Sequence, residues 1–100
     1  MIVKTLTGAS AVFSAAHESR EGVLHGHTWQ VTAWWWGEPD AVQKQKDLRA
    51  YLSRFDHTVL PASSAWGEQL GAQVLRDLGC AKVDVSRPLE GIFAVVERQT

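Results

Sequence analysis

Apolar and polar residues alternate over several stretches of the chain and recur at helical spacing over two others. Residues 2–7 (Ile2-Val3-Lys4-Thr5-Leu6-Thr7) and 11–16 (Ala11-Val12-Phe13-Ser14-Ala15-Ala16) read as one strand, interrupted by a bulge near Gly8. Residues 18–23 are polar, contain Gly22 and read as a loop. Residues 25–36, rich in Thr, Val and Trp, read as a second strand that ends at Gly37-Glu38-Pro39. Asp40 offers a side-chain acceptor suited to a helix N-cap, ahead of a helix over 41–55. Its buried stripe would be Val42, Leu48, Tyr51, Leu52 and Phe55. After Pro61, residues 63–78 form a second helix with Trp66, Leu70, Val74, Leu75 and Leu78 on its apolar face and Gly79 just past its end. A third strand over 81–86, a turn from Pro88 to Gly91 and a fourth strand over 92–97 complete the chain. The order strand-strand-helix-helix-strand-strand predicts an α+β fold: a four-stranded antiparallel sheet with two helices on one face.

Trp34, Trp35 and Trp36 are consecutive. Neighbouring side chains of a strand point to opposite faces, so this strand carries bulky apolar groups on both. Two helices cover only one face. Either a partner subunit covers the other, or a Trp at the strand end stays partly exposed.

Composition narrows the class. One hundred residues make one domain, 1–100, at 45% hydrophobic and 21% charged. The net charge of −1, with no cluster of Lys and Arg, argues against nucleic acid as a partner. No apolar run approaches the roughly 20 residues needed to cross a membrane. The start, Met1-Ile2-Val3-Lys4-Thr5, lacks a signal-peptide layout, and a single cysteine, Cys80, permits no intrachain disulfide. A cytoplasmic location is expected.

The chemistry sits in the histidines. His25 and His27 are one residue apart, so on a strand both imidazoles share a face, roughly 7 Å apart along the chain. His17 ends the preceding strand, and a hairpin returns it towards that pair. Three imidazoles with an open fourth position suit a catalytic zinc ion, although other late first-row metals accept the same set. Separate surface histidines would give the same spacing.

Three segments bear a resemblance: Phe13-Ser14-Ala15-Ala16-His17, Leu24-His25-Gly26-His27-Thr28 and Phe55-Asp56-His57-Thr58-Val59-Leu60. They resemble the F-x-A-A-H, L-H-G-H and L-D-H-x-x-L motifs of the 6-pyruvoyl-tetrahydropterin synthase family and its bacterial 6-carboxy-tetrahydropterin synthase branch, which serves the queuosine pathway. The resemblance spans nearly the whole chain. It implies a tunnelling fold, in which subunits join their sheets edge to edge into a barrel, with homotrimers or homohexamers and active sites at subunit boundaries. It also implies Zn²⁺ on His17, His25 and His27, and Asp56-His57 as orienter and acid/base, although an Asp-His pair can equally be a helix-end turn.

Two positions depart from the family. Its usual cysteine base falls at Glu21, a carboxylate that can serve as a base or be an ordinary loop residue. The family's pterin-anchoring glutamate, an acceptor, falls at Arg87, which has only donors. Glu90 would then substitute, or Arg87 would hold a carboxylate or phosphate of a different ligand. The expected function is a zinc-dependent lyase or synthase acting on a pterin-like small molecule, with Glu21, Asp56 and His57 catalytic and Arg87 and Glu90 binding substrate. The alternatives are a diverged zinc-binding homologue with a non-pterin substrate and an oligomer without catalysis.

Overall fold

The computed structural model describes residues 3–19 and 21–99. Two long strands, β1 (Leu6–Glu18) and β2 (Leu24–Trp36), form a hairpin. Its antiparallel register is unbroken from Leu6 opposite Trp36 to Glu18 opposite Leu24. The bulge expected near Gly8 is absent. Gly8 instead sits opposite Trp34, and a Cβ there would come 2.7 Å from the indole Nε1. The glycine makes room for a cross-strand aromatic ring and does not interrupt the ladder. Of the segment expected to open this strand, Ile2 lies outside the described residues, and residues 3–5 are not in a strand.

Asp40 caps α1 (Ala41–Leu52): its Oδ1 accepts from the amides of Val42 at 3.0 Å and Gln43 at 3.3 Å. The helix ends three residues earlier than its apolar spacing suggests. Phe55 still reaches the core, from the turn that follows, whereas Val42 is 64% exposed and leaves the predicted stripe. That turn leads into β3 (Thr58–Val59), which pairs parallel to β1 through Ala15–Ala16. A 3₁₀ turn at Ala62–Ser64 precedes α2 (Gly67–Leu78), so the second helix starts four residues later than expected. Gly79 closes it in the left-handed conformation, φ 63°. The chain ends in the hairpin of β4 (Lys82–Arg87) and β5 (Ile92–Glu97).

The sheet order is β3-β1-β2-β4-β5. The α+β class holds, with one correction: five strands among the described residues, one in a parallel edge pair, in place of four antiparallel ones. A two-residue strand has no periodicity to announce it. Odd-numbered residues of β1 and β2 face the helices, and Phe13, Trp29, Val31, Ala33 and Trp35 join Leu48, Leu52, Leu70 and Val74 in one core. On the other face Val12, Trp36, Phe93 and Val95 stay exposed. Each tryptophan of the triplet lies about 5 Å from an ammonium group: Lys82 over Trp34, Lys44 over Trp35 and Lys4 over Trp36.

Element lengths position the site. A thirteen-residue strand runs about 43 Å, whereas a twelve-residue helix runs about 18 Å. The helices therefore cannot cover the whole β1–β2 hairpin, and the molecule is 50 Å long but only 25 × 23 Å across. The far end of the hairpin carries the histidines. No helix among the described residues is long and apolar enough to cross a membrane.

Candidate metal centre

His17 and His25 are directly opposed in the β1–β2 ladder, and His27 lies one pleat further along the same face. The three rings meet edge to face with centroids 4.6–4.9 Å apart, and one nitrogen from each falls within 4.8 Å of the others. His17 is buried to 1% exposure. Trp29 forms the floor, its ring 5.2 Å from His17 and 5.7 Å from His27, and its indole N–H donates to the Ala15 carbonyl at 3.1 Å. Trp66, just before α2, closes the side at 5.3 Å from His17.

The second nitrogen of each ring decides what the cluster can do. His17 Nδ1 faces the Ala65 carbonyl at 2.6 Å, His25 Nδ1 the Val23 carbonyl at 3.2 Å, and His27 Nδ1 the Glu90 carboxylate at 2.8 Å. All three partners are pure acceptors, so each Nδ1 must carry the proton. In the neutral rings each Nε2 then carries a lone pair, and those of His17 and His25 face each other 3.1 Å apart, while that of His27 meets Arg87. Facing lone pairs repel. The arrangement calls for a cation between them: a shared proton, a metal ion or a guanidinium.

A metal fits. Zinc–nitrogen bonds of 2.0–2.1 Å at tetrahedral angles place ligand nitrogens about 3.3 Å apart, close to the His17–His25 spacing. The carboxylate and carbonyls behind the rings are the partners that orient metal-bound imidazoles. Burial lowers the His17 pKa. The Ala65 carbonyl opposes that drop, while His25, His27 and Arg87 add to it. The net effect favours the neutral, ligating ring. The hydrogen bond from His27 holds the Glu90 carboxyl below its ordinary range.

The other expected site residues divide. Glu21, in the β1–β2 loop, lines one cleft with His17, His25, Trp66 and Arg87. Arg87 ends β4 on the histidine face. Its Nη1 donates to His27 Nε2 at 2.9 Å, and its guanidinium carbon stands 5.8 Å from the Trp29 ring centroid. Glu90 orients His27, so one of its oxygens is already committed. Asp56 and His57 instead line grooves away from Glu21. Asp56 Oδ1 accepts from the Ser14 amide at 3.0 Å, and its other oxygen meets His57 Nδ1 at 3.0 Å. The Ser14 amide, followed by His57, holds the Asp56 carboxyl below its usual value. The His57 backbone is left-handed, φ 58°, and its N–H donates to the Ser14 carbonyl at 2.6 Å. The ring itself is 82% exposed. It lines an open groove with Ser14, Gly26 and Thr28 that reaches the cluster only at His27 and Glu90.

Sequence reasoning missed Trp29, Trp66 and the Ala65 carbonyl as parts of the site. Trp29 was findable, two residues after His27 on the same strand face. The Ala65 carbonyl carried no signal. It is presented by the 3₁₀ turn, which the hydrogen bond from Ser64 Oγ to the Gln73 side chain ties to α2.

Neither the protein-family models nor the curated proteins contain a match to this chain. The fold does have a solved counterpart. The chain superposes on the structure of Caenorhabditis elegans 6-pyruvoyl tetrahydropterin synthase with a TM-score of 0.78, over 98% of each chain, at 15% sequence identity. The architecture is therefore the tunnelling fold of that enzyme. At this identity the likeness concerns the fold alone.

Proposed function

We propose that this chain is a cytoplasmic, zinc-dependent lyase or synthase acting on a pterin-like small molecule, similar to 6-pyruvoyl tetrahydropterin synthase and assembled as a homotrimer or homohexamer. The observation that carries the reading is the convergence of three Nε2 atoms whose Nδ1 partners all impose the ligating tautomer. A zinc ion held there supplies a Lewis acid that polarises a hydroxyl or carbonyl group on the substrate's side chain. Trp29 and Trp66 keep water from one side of the rings. Glu21 lines the same cleft, where its carboxylate would accept a proton from the substrate's side chain. His57, fixed by Asp56, is the acid/base partner. Glu21 and His57 line different grooves of one chain, which supports assigning the exposed His57 to the site of a neighbouring copy. The clefts on the Glu21 side are small, about 160 and 220 Å³, whereas the groove that holds His57 and reaches the cluster at His27 and Glu90 is open and about 660 Å³.

A second reading has its own observation. The acceptor that would hold the amino-pyrimidine edge of a pterin is replaced by donor-only Arg87, and Glu90 is engaged by His27. This favours a diverged homologue that keeps the metal but takes a non-pterin substrate.

Elemental analysis of protein purified without chelator tests the first step, with about one zinc per chain expected. A ligand screen of the zinc-loaded protein, pterins against non-pterins, separates the two readings. Once a substrate is found, Glu21→Gln should keep its zinc and lose about 10²–10⁴-fold in turnover. Unchanged turnover would remove Glu21 from the mechanism, and a monomer in sedimentation at micromolar concentration would remove the assembly.

A further inference from the structure

Arg87 stands where two demands conflict. With its Nδ1 proton committed to Glu90, the neutral His27 ring has a single in-plane lone pair left, at Nε2. The Arg87 guanidinium donates to that atom at 2.9 Å. One lone pair cannot serve both a hydrogen-bond donor and a metal ion. A divalent cation between the three histidines would also repel a guanidinium this close.

Arg87 is, further, a half-buried permanent charge without a direct ion pair, its charge felt only at a distance by Glu90, whose carboxylate is bonded to His27. Among the described residues no carboxylate lies within ion-pairing distance of it. The ion pairs present are His27–Glu90, His57–Asp56 and Arg76–Asp77. It meets the His27 nitrogen and the face of Trp29. Four of its five N–H donors are not used on His27, and the side chain borders both clefts beside the cluster. A guanidinium in such a position is matched to carboxylate or phosphate oxygens, which it holds in a two-pronged geometry.

We infer that Arg87 is a displaceable cation. It occupies His27 Nε2 in the metal-free chain, and a bound metal releases it to take an oxyanion group, carboxylate or phosphate, of the substrate. The inference rests on the metal-site reading above and adds to it a substrate class and a coupling between metal and substrate. Metal favours the anion, because it frees the guanidinium from His27 Nε2. Linkage makes the effect mutual: an anion that captures Arg87 removes the competitor at His27 and so tightens the metal, by the same factor by which the metal tightens the anion.

The test is a zinc titration of the full-length chain against a chromophoric chelator, alone and with inorganic phosphate or acetate present. Free zinc is corrected for the anion's own complexes. Arg87→Ala should bind zinc roughly tenfold or more tightly than the native chain, within the ordinary range of coupling between sites. In the native chain phosphate, acetate or both should tighten zinc, and in Arg87→Ala this gain should vanish. Whichever anion acts identifies the group as a phosphate or a carboxylate. The guanidinium N–H resonances of native Arg87 should shift on adding zinc before any anion, which reports the release without a variant. Equal or weaker zinc binding by a folded Arg87→Ala would overturn the inference. So would native zinc affinity indifferent to both anions, or guanidinium resonances unmoved by zinc. A native chain that takes up no zinc at all overturns the metal-site reading itself, a different result from zinc uptake that ignores Arg87.

Discussion

His17 Nε2 lies 3.1 Å from His25 Nε2, although the other nitrogen of each ring already faces a backbone carbonyl. Two such lone pairs at this distance destabilise the metal-free chain, and a cation between them reverses the effect. Saturating zinc, at about 100 times its dissociation constant, should therefore raise unfolding stability by about 2.7 kcal/mol. Chelator should remove that gain in a thermal or urea melt. In the double variant His25→Ala, His27→Ala the melt should no longer respond to zinc. Stoichiometric metal persisting in that variant would place the metal elsewhere.

Glu90 fixes His27 through a 2.8 Å hydrogen bond. Glu90→Gln keeps the size of the side chain but removes the charge. Zinc affinity, read by chelator competition, should fall about 10–100-fold. The same variant should melt normally without metal, since Glu90 is exposed in a turn. Unaltered zinc affinity would show that Glu90 has no part in orienting the ligand.

Gly8 gives up its side chain to Trp34, with the site of its missing Cβ 2.7 Å from Nε1. Gly8→Val adds bulk that only movement of the indole accommodates. Chemical denaturation should show a loss of about 1–3 kcal/mol. A variant of native stability with unchanged tryptophan fluorescence would mean that Trp34 is free to swing away.

Tyr51 joins the helices by donating its hydroxyl to Asp77 Oδ2 at 2.6 Å. Burial, reinforced by that bond, pushes its pKa from 10.0 up to about 12. The folded state thus favours the neutral phenol. This stabilisation is complete below pH 10 and is lost as pH rises from about 10 through 12. A shift of this size corresponds to about 2–3 kcal/mol. Urea melts of the native chain should weaken over that window, and Tyr51→Phe should lack this component of the alkaline loss. Parallel pH profiles for the two proteins would contradict the buried-phenol assignment.

The sequence by itself determined the order of the two helices and the four longer strands, the Asp40 cap, most of the core and the histidine trio. Each of these is local: side chains alternate on a strand, recur near every fourth residue on a helix, and a carboxylate beside free amides caps. Alternation along β1 and β2 already placed Phe13, Trp29, Val31 and Trp35 on one side, and it carried His25 and His27 with them. Only the tertiary structure decided the rest, because the deciding contacts join residues far apart in the chain. The Gly8–Trp34 contact replaced a bulge that the isolated glycine suggested. Val42 stayed in solvent because α1 meets the sheet through Leu48, Tyr51 and Leu52. Thr58–Val59 became a strand only by lying along Ala15–Ala16. The tautomers of the three histidines depend on Ala65, Val23 and Glu90, two of them 48 and 63 residues away from the ring they orient. The position of Arg87 on His27 spans 60 residues. No periodicity encodes such pairings, since they arise when the β4 and α2 ends pack onto the uncovered tip of a hairpin longer than the helices above it.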